Sequence, residues 1–546
     1  MNISTWTDTK EKTMKKTNII FLSLIVTLPL LLAACFSDWT GQEKYAAVTI
    51  RLAGGDTART LVASDGSGGT TENHTYKISI DGAALKDFTP GVPVSVPVGS
   101  RTLEIRAYGD PAVIWGTNPF TTSKVLRAIG KTSGNVTEKG PNSFSIYLDS
   151  ASEVTTWEQL KFAAGGAPDG SRKEIIVLKN SFEATSTAGT IPVNRPIELR
   201  ADDSPVTISR EIGFYNKFFN VVTGGSLYIG KDSATGNSVG FPITLDTNNF
   251  TVLNATDWNN ARGAIAGGDN NENYVITVAS SFTVAGTPSS TFTFGAVTGI
   301  AVTITGNQTI TLSGTGSLLN IGADQSVVMH DIDLEGHSGN NTYLVAVNGV
   351  NASLTMEGSA SVSGNTAAVS GGGVYVADGG SFAMLDGTIS GNSVNGTTGQ
   401  GGGVYVSGAS ATTTFTMSGG TISNNTITGT GTSCYAGGVY VSGASASFTM
   451  TDGIIGPGNT STRSAGGVMI TSNATFTMSG GEITGNSATS YYGGLFVSPG
   501  ILNLNSPASK ASIHTNTVGA NSSNALVASG STFKIDGVSQ TLTISW

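Results

Sequence analysis

A five-residue element returns at intervals of about 30 residues in the second half of this 546-residue chain, and it restricts the fold more than any other feature. Gly372-Gly373-Val374-Tyr375-Val376 recurs as Gly402-Gly403-Val404-Tyr405-Val406 and Gly437-Gly438-Val439-Tyr440-Val441. It continues, varied, as Gly466-Gly467-Val468-Met469-Ile470 and Gly493-Gly494-Leu495-Phe496-Val497. Two further motifs alternate with it: Phe382-Ala383-Met384, Phe415-Thr416-Met417, Phe448-Thr449-Met450 and Phe476-Thr477-Met478, then Ile389-Ser390-Gly391-Asn392, Ile422-Ser423-Asn424-Asn425 and Ile483-Thr484-Gly485-Asn486. Val362-Ser363-Gly364-Asn365 opens the last series. Three short strands per period, parted by Gly and Asn turns, is the period of a parallel β-helix. In a three-residue strand the outer two side chains share one face. Stacked coils therefore predict columns of Phe, Met, Ile and Val inside, about 4.8 Å apart from coil to coil. Gly and Asn supply corners with positive φ. Asn365, Asn392, Asn425 and Asn486 are expected to form a side-chain ladder, as stacked amides do in cross-β assemblies.

Composition agrees with an all-β chain. Gly accounts for 73 residues, and the chain holds 28 Lys plus Arg against 37 Asp plus Glu, a formal net charge of -9. Of these charges 52 fall in 1–300 and 13 in 301–546, where only Arg463, Lys510 and Lys534 are basic. Disorder of the charged type is excluded by the apolar content, and collagen by the clustering of the glycines. Nucleic acid is not an expected partner, because no basic stripe exists to displace counterions.

The remaining chain divides by pattern. From Met14 the residues read as a signal peptide: Lys15-Lys16, an apolar run over Ile19–Ala34, then Cys35. A basic start, a short apolar stretch and small residues before the cut describe export, not a membrane span. We expect residues 1–34 to be removed, with Met14 the natural start, and 35–44 to be a tether. Residues 45–149 alternate apolar and polar with Gly, Pro and Asp between, which predicts an immunoglobulin-like β-sandwich. Thr156-Trp157-Glu158-Gln159-Leu160 and Asp257-Trp258-Asn259-Asn260-Ala261 each open a short helical pattern, with Thr155 and Glu158 fitting a capping box. Each helix is expected to cover the end of a coil stack. Residues 150–255 thus form a first β-helix-like or capping unit, and 256–546 a parallel β-helix whose repeats are strongest in 350–500.

Two surfaces deserve a chemical reading. Asp331, Asp333 and Glu335 alternate, so one extended strand would project all three carboxylates from one face, roughly 7 Å apart. Such a trio offers hard oxygen ligands to calcium. A solvated strand face is the ordinary reading, and no basic residue stands near for proton abstraction. No metal, cofactor or catalytic set is therefore expected. The second surface is the column Tyr375, Tyr405, Tyr440 and Phe496. If the flanking valines point inward, these rings stack outside and could receive a sugar or a protein.

Leu32-Ala33-Ala34-Cys35 resembles a bacterial lipobox, which implies diacylglycerol on Cys35 after cleavage. The paired Gly before an apolar strand, followed by Ile-x-x-Asn, resembles the repeats of bacterial polymorphic outer-membrane proteins. It resembles still more the repeat-bearing surface lipoproteins of spirochaetes and related bacteria. The likeness covers about 150–546. It implies a right-handed, pectate-lyase-like β-helix held to the cell envelope by lipid, outer membrane and surface-exposed, with a structural or adhesive role toward host protein, matrix or glycan. The alternatives are a carbohydrate-active β-helix enzyme and a noncatalytic glycan-binding module.

Overall fold

The computed structural model describes residues 44–52, 75–109, 125–146, 149–165, 174–185, 189–211, 214–221, 226–231, 238, 241–246, 248–368, 370–505, 511–519 and 521–540. The segment read from the sequence as a signal peptide, and Cys35 with it, lie outside these residues. The chain forms two compact units, one from Met1–Ser181, Ile191–Val206 and Phe219–Ile243, the other from Phe182–Thr190, Thr207–Phe218 and Thr244–Trp546.

The first unit begins with β1 (Tyr45–Leu52), β2 (Thr75–Ile80), β3 (Lys86–Phe88), β4 (Val94–Pro97), β5 (Gly99–Gly109), β6 (Val125–Val136), β7 (Asn142–Ile146) and β8 (Asp149–Val154). One sheet runs β4-β1-β7, and the other begins β3-β2-β5-β6-β8. Val48, Ile50, Val96, Leu103, Ile105 and Ile146 are buried together in one core. The second sheet does not stop at residue 149. Strand β8 pairs antiparallel with β6 and parallel with Glu174–Leu178, and Pro196–Ala201 and Ser226–Ile229 follow in parallel. The sandwich sheet therefore passes without a break into the first parallel wall. Helix α1 (Trp157–Gly165) follows β8, with Trp157 fully buried. Its cap sits one residue later than the sequence reading placed it. Thr156 Oγ1 accepts from Gln159 N, and Gln159 Oε1 reaches back to Thr155 N. Two overlapping Thr-x-x-Glu/Gln frames exist, and the later one is used.

The second unit is a right-handed parallel β-helix. Its Phe wall starts at Asn249–Val252 and reaches Thr532–Ile535, every neighbour parallel, before Val538–Ser539 turns back antiparallel. Helix α2 (Ala255–Ala266) leaves the first strand of this wall. Asn254 Oδ1 caps it by accepting from Thr256 N and Asp257 N, while Trp258, Ala261 and Ile265 are buried in the apolar column. One coil illustrates the rest: Ser381–Met384 in the Phe wall, Thr388–Ser390 in the Ile wall, Ser393–Val394 in a short wall, then Val404–Ser407 in the Val wall. The short wall corrects the sequence reading of three strands per coil. Its two-residue strands, such as Thr366–Ala367 and Thr426–Ile427, directly follow the ladder asparagines.

The predicted columns are present in register. Phe382, Phe415, Phe448 and Phe476 stack at 4.8, 4.6 and 4.7 Å between ring centres, with planes within 9°. Met384, Met417, Met450 and Met478 align beside them, and Ile389, Ile422, Ile455 and Ile483 form the next column. Thr416, Thr449 and Thr477 project to the outside. The asparagine ladder is longer than expected. Asn340, Asn365, Asn392, Asn425, Asn459, Asn486 and Asn516 are all buried. Asn392 Nδ2 donates to Asn425 Oδ1 (3.0 Å), Asn425 to Asn459 (3.1 Å), Asn459 to Asn486 (2.8 Å) and Asn486 to Asn516 (2.9 Å). The second amide hydrogen bonds a carbonyl, as from Asn425 to Ile389 O (2.9 Å). Each buried amide is thereby satisfied by its neighbours. This ladder explains the second glycine of each pair, while a Cβ on the first would meet neighbouring backbone. A Cβ on Gly403 would lie 2.8 Å from Gly438 O and 3.0 Å from Asn425 Nδ2, so any side chain there would collide with the ladder.

Candidate functional site

The aromatic column lies where the alternation of the Val wall requires. Val374, Val376, Val404, Val406, Val439 and Val441 are buried inside the coil, and Tyr375, Tyr405, Tyr440, Met469 and Phe496 align on the opposite face. That face is roofed by the chain that enters each Val strand. The residue before each Gly-Gly pair adopts positive φ: Gly371 (80°), Gly401 (64°), Ala436 (59°), Ala465 (54°) and Tyr492 (43°). This left-handed step folds the preceding segment back over the rings. Ala436 and Ala465 join Tyr440 and Met469 in a cluster, with Tyr405, Tyr435 and Phe496 packed against it. Tyr440 keeps 5 % of its surface exposed, while Tyr375, Tyr405 and Phe496 are half-buried. Tyr343 stacks on Tyr375 at 4.8 Å and Tyr405 meets Tyr440 edge-on at 5.1 Å. Burial, with neighbouring Tyr405 and Tyr343 adding to it, pushes the Tyr375 hydroxyl up to about 12. Tyr405 and Tyr440 are raised for the same first reason.

The roof presents a ladder of its own, which the sequence reading missed. Gln400, Tyr435, Ser464 and Tyr491 bridge one another in parallel. In-register pairing points their side chains the same way. Tyr435 lies parallel to Tyr440 at 6.3 Å, and its hydroxyl donates to Thr432 O. Tyr491 is 53 % exposed, and the Arg463 guanidinium stands 6.0 Å from its ring centre. Between the two tyrosines Ser464 Oγ is buried without a hydrogen-bond partner. The signal in the sequence was an aromatic or polar residue two places before each Gly-Gly pair, set in turns of varying length.

The acidic trio is separated. Asp331 is not on a strand but at a corner with φ 51°, between Gln325–His330 and Asp333–Glu335. Its Oδ1 accepts from Ser359 N (2.7 Å) and Ser359 Oγ (2.9 Å), and these bonds hold its pKa below the usual carboxylate value. Asp333 accepts from Ser361 Oγ, and Glu335 from Thr311 Oγ1 (3.0 Å). His330 bridges Asp331 and Glu357 at 3.1 Å each. The three carboxylates thus serve three different corners and rungs, and among the described residues no group of three metal-ligating side chains converges.

A recess of about 150 Å³ lies beside Arg210, lined in part by Glu183, Tyr215, Asp246 and Phe250. Arg210 sits 5.0 Å from the Phe218 ring centre and 5.1 Å from that of Phe250, and donates to Phe214 O and Asn216 O. Burial lowers its pKa to about 10, with Asp246 opposing. This is a clamp on the 214–218 turn, and the recess is below the roughly 300 Å³ at which ligand pockets begin. Comparison with family models, with curated proteins and with solved structures finds no match for this chain.

Proposed function

We propose that this chain is a lipid-anchored protein of the bacterial cell surface whose β-helix acts as an adhesive or structural wall. The observation that carries the reading is the Phe wall, parallel and in register from Asn249 to Ile535, with small hydroxyl side chains outward over most of its rungs. A face of this kind is stiff, because every backbone group is paired with the coils on either side. It is also nearly uncharged, so contact with a partner costs little desolvation of ions. The lipobox at Cys35 supports attachment by lipid, and the scarcity of charge after residue 301 supports a contact surface over a catalytic one. The test uses the full chain in a Gram-negative host. Palmitate should label the wild type and not Cys35→Ala, and protease added to intact cells should remove the repeat region. Full protection of that region, with the label retained, would sink surface display.

A further inference from the structure

We infer that the roof over the Val wall binds an acidic glycan, with Tyr491 as the stacking platform and Arg463 as the carboxylate or sulfate contact. Four observations converge on this patch. Arg463 is the one Lys or Arg between Arg262 and Lys510. After Asp386 the only acids are Asp452, Glu482 and Asp536, and none lies on the short wall, the Val wall or the roof between them. Among the described residues no ion pair engages Arg463. Its main chain is fixed, since Arg463 O accepts from Ser490 N (3.1 Å) and Tyr491 N (2.8 Å), so the guanidinium is delivered to Tyr491 by paired backbone.

A lone guanidinium unopposed by any carboxylate on its own face is positioned for an anion from outside. Arg offers paired donors that match a planar carboxylate. Tyr491 beside it presents an exposed ring, and the C–H face of a pyranose packs on such a ring while its hydroxyls stay hydrated. Tyr435 stands two rungs away on the same side, about 10 Å at the strand spacing, with the small Ser464 between. Two aromatic rings at that separation, parted by a small residue, suit alternate sugars of an extended chain. An acidic peptide would satisfy the charge but gains less from two rings spaced across a flat ladder.

The inference deepens the adhesive reading by naming a ligand class, and it is tested in solution, where it can fail while surface display stands. The full chain in detergent is titrated with oligogalacturonate, with the same oligosaccharide after carboxyl reduction, with chondroitin sulfate and with polyglutamate. Binding of oligogalacturonate or chondroitin sulfate is expected, with salt sensitivity, and the reduced sugar should not bind. Arg463→Gln and Tyr491→Ala should each weaken binding at least about tenfold, whereas Arg463→Lys should retain part of it. Thermal melts close to wild type would show that both variants fold, since both side chains are on the outer face. No binding of either acidic glycan, or equal binding by Arg463→Gln, overturns the inference. Equal or tighter binding of polyglutamate also overturns it, in favour of an acidic peptide.

Discussion

In the first unit, strand β5 carries Arg106, which lies among Glu104, Glu153 and Asp202 with little exposure, and Arg200 pairs with Glu198 at 2.5 Å in a fully covered site. In the second unit the corresponding depth is occupied by amides, Asn425 against Asn392 and Asn459, with no charge near them. Both arrangements neutralise buried polarity, the ionic one along the strands themselves and the amide one at the corner after each Ile strand. The ionic one is built from different residues at each rung and must be matched pair by pair. The amide one repeats, since an Asn both donates and accepts and so fits above and below another Asn. A repeating sequence can lengthen the second arrangement by duplication, and it cannot do so with the first.

The sharpest way to break that contrast is to remove a single rung of the ladder. Asn425→Ala would take a partner from Ile389 O, Asn392 N and an Asn392 amide hydrogen in a dry interior, while Asn459 Oδ1 keeps its bond from the backbone N of residue 425. At about 1–3 kcal/mol for each of these three buried groups, partly relieved by water, the loss should reach about 3–5 kcal/mol. Asn425→Asp should be as harmful, because a carboxylate cannot donate to Ile389 O. Denaturant unfolding followed by amide exchange across the rungs measures both; a loss under about 1 kcal/mol in either would show that the ladder is ornamental to stability.

Arg106→Met tests the ionic side. Burial opposes the charge on Arg106, and Asp202 and Glu104 more than reverse this, so its pKa stands above the ordinary arginine value. Removing it leaves Glu104 and Asp202 without this partner and Glu153 with Lys179 alone, but each carboxylate keeps some access to solvent. The expected cost is therefore about 2–3 kcal/mol, below the 3–5 of a fully enclosed pair. Unlike the asparagine variants, this one should lose less in high salt, where the stranded carboxylates repel each other less.

Phe415→Leu probes the apolar column between these extremes. The ring is fully buried and stacked on both sides, and leucine keeps most of its volume. About 1 kcal/mol should be lost. A larger loss would show that parallel stacking adds to burial.

How much of this was legible depended on whether each residue kept a constant offset within its repeat. Phe382, Phe415, Phe448 and Phe476 always stand two residues before Met, so their register could be read directly. Asn459 could not, because Gly456-Pro457-Gly458 inserts one residue and breaks the Ile-x-x-Asn spacing, although the amide still occupies its rung. Asn516 obeys that spacing and extends the ladder although no Phe-x-Met motif precedes it. The short wall was hidden because a two-residue strand carries no alternation. The roof was hidden for a different reason: Gln400, Tyr435, Ser464 and Tyr491 keep a constant offset of two before Gly-Gly but differ in residue type, so no chemical pattern marks them as a column. Asp331 was misplaced because alternation through 329–335 looks continuous, while a positive-φ corner interrupts it. Repetition encodes columns, and irregular turns decide what covers them.

The smallest expected effect separates the two units by pH. Tyr108 in the first unit and Tyr375 in the second are each pushed up to about 12 from the ordinary 10.0, in both cases first by burial. The added causes differ: Glu153 repels the tyrosinate at Tyr108, whereas neighbouring tyrosines do so at Tyr375. A raised folded pKa favours the protonated form in the folded chain, so this contribution is complete below pH 10 and is lost as pH climbs from 10 to 12. Both hydroxyls should ionise late in an ultraviolet titration of the folded protein, with Tyr108→Phe and Tyr375→Phe used to assign them. Raising the ionic strength should lower the Tyr108 value by screening Glu153 and leave the Tyr375 value nearly in place, because no carboxylate is its leading neighbour. If salt moved both equally, the difference between an ionic first unit and an amide-laddered second unit would not extend to their tyrosines.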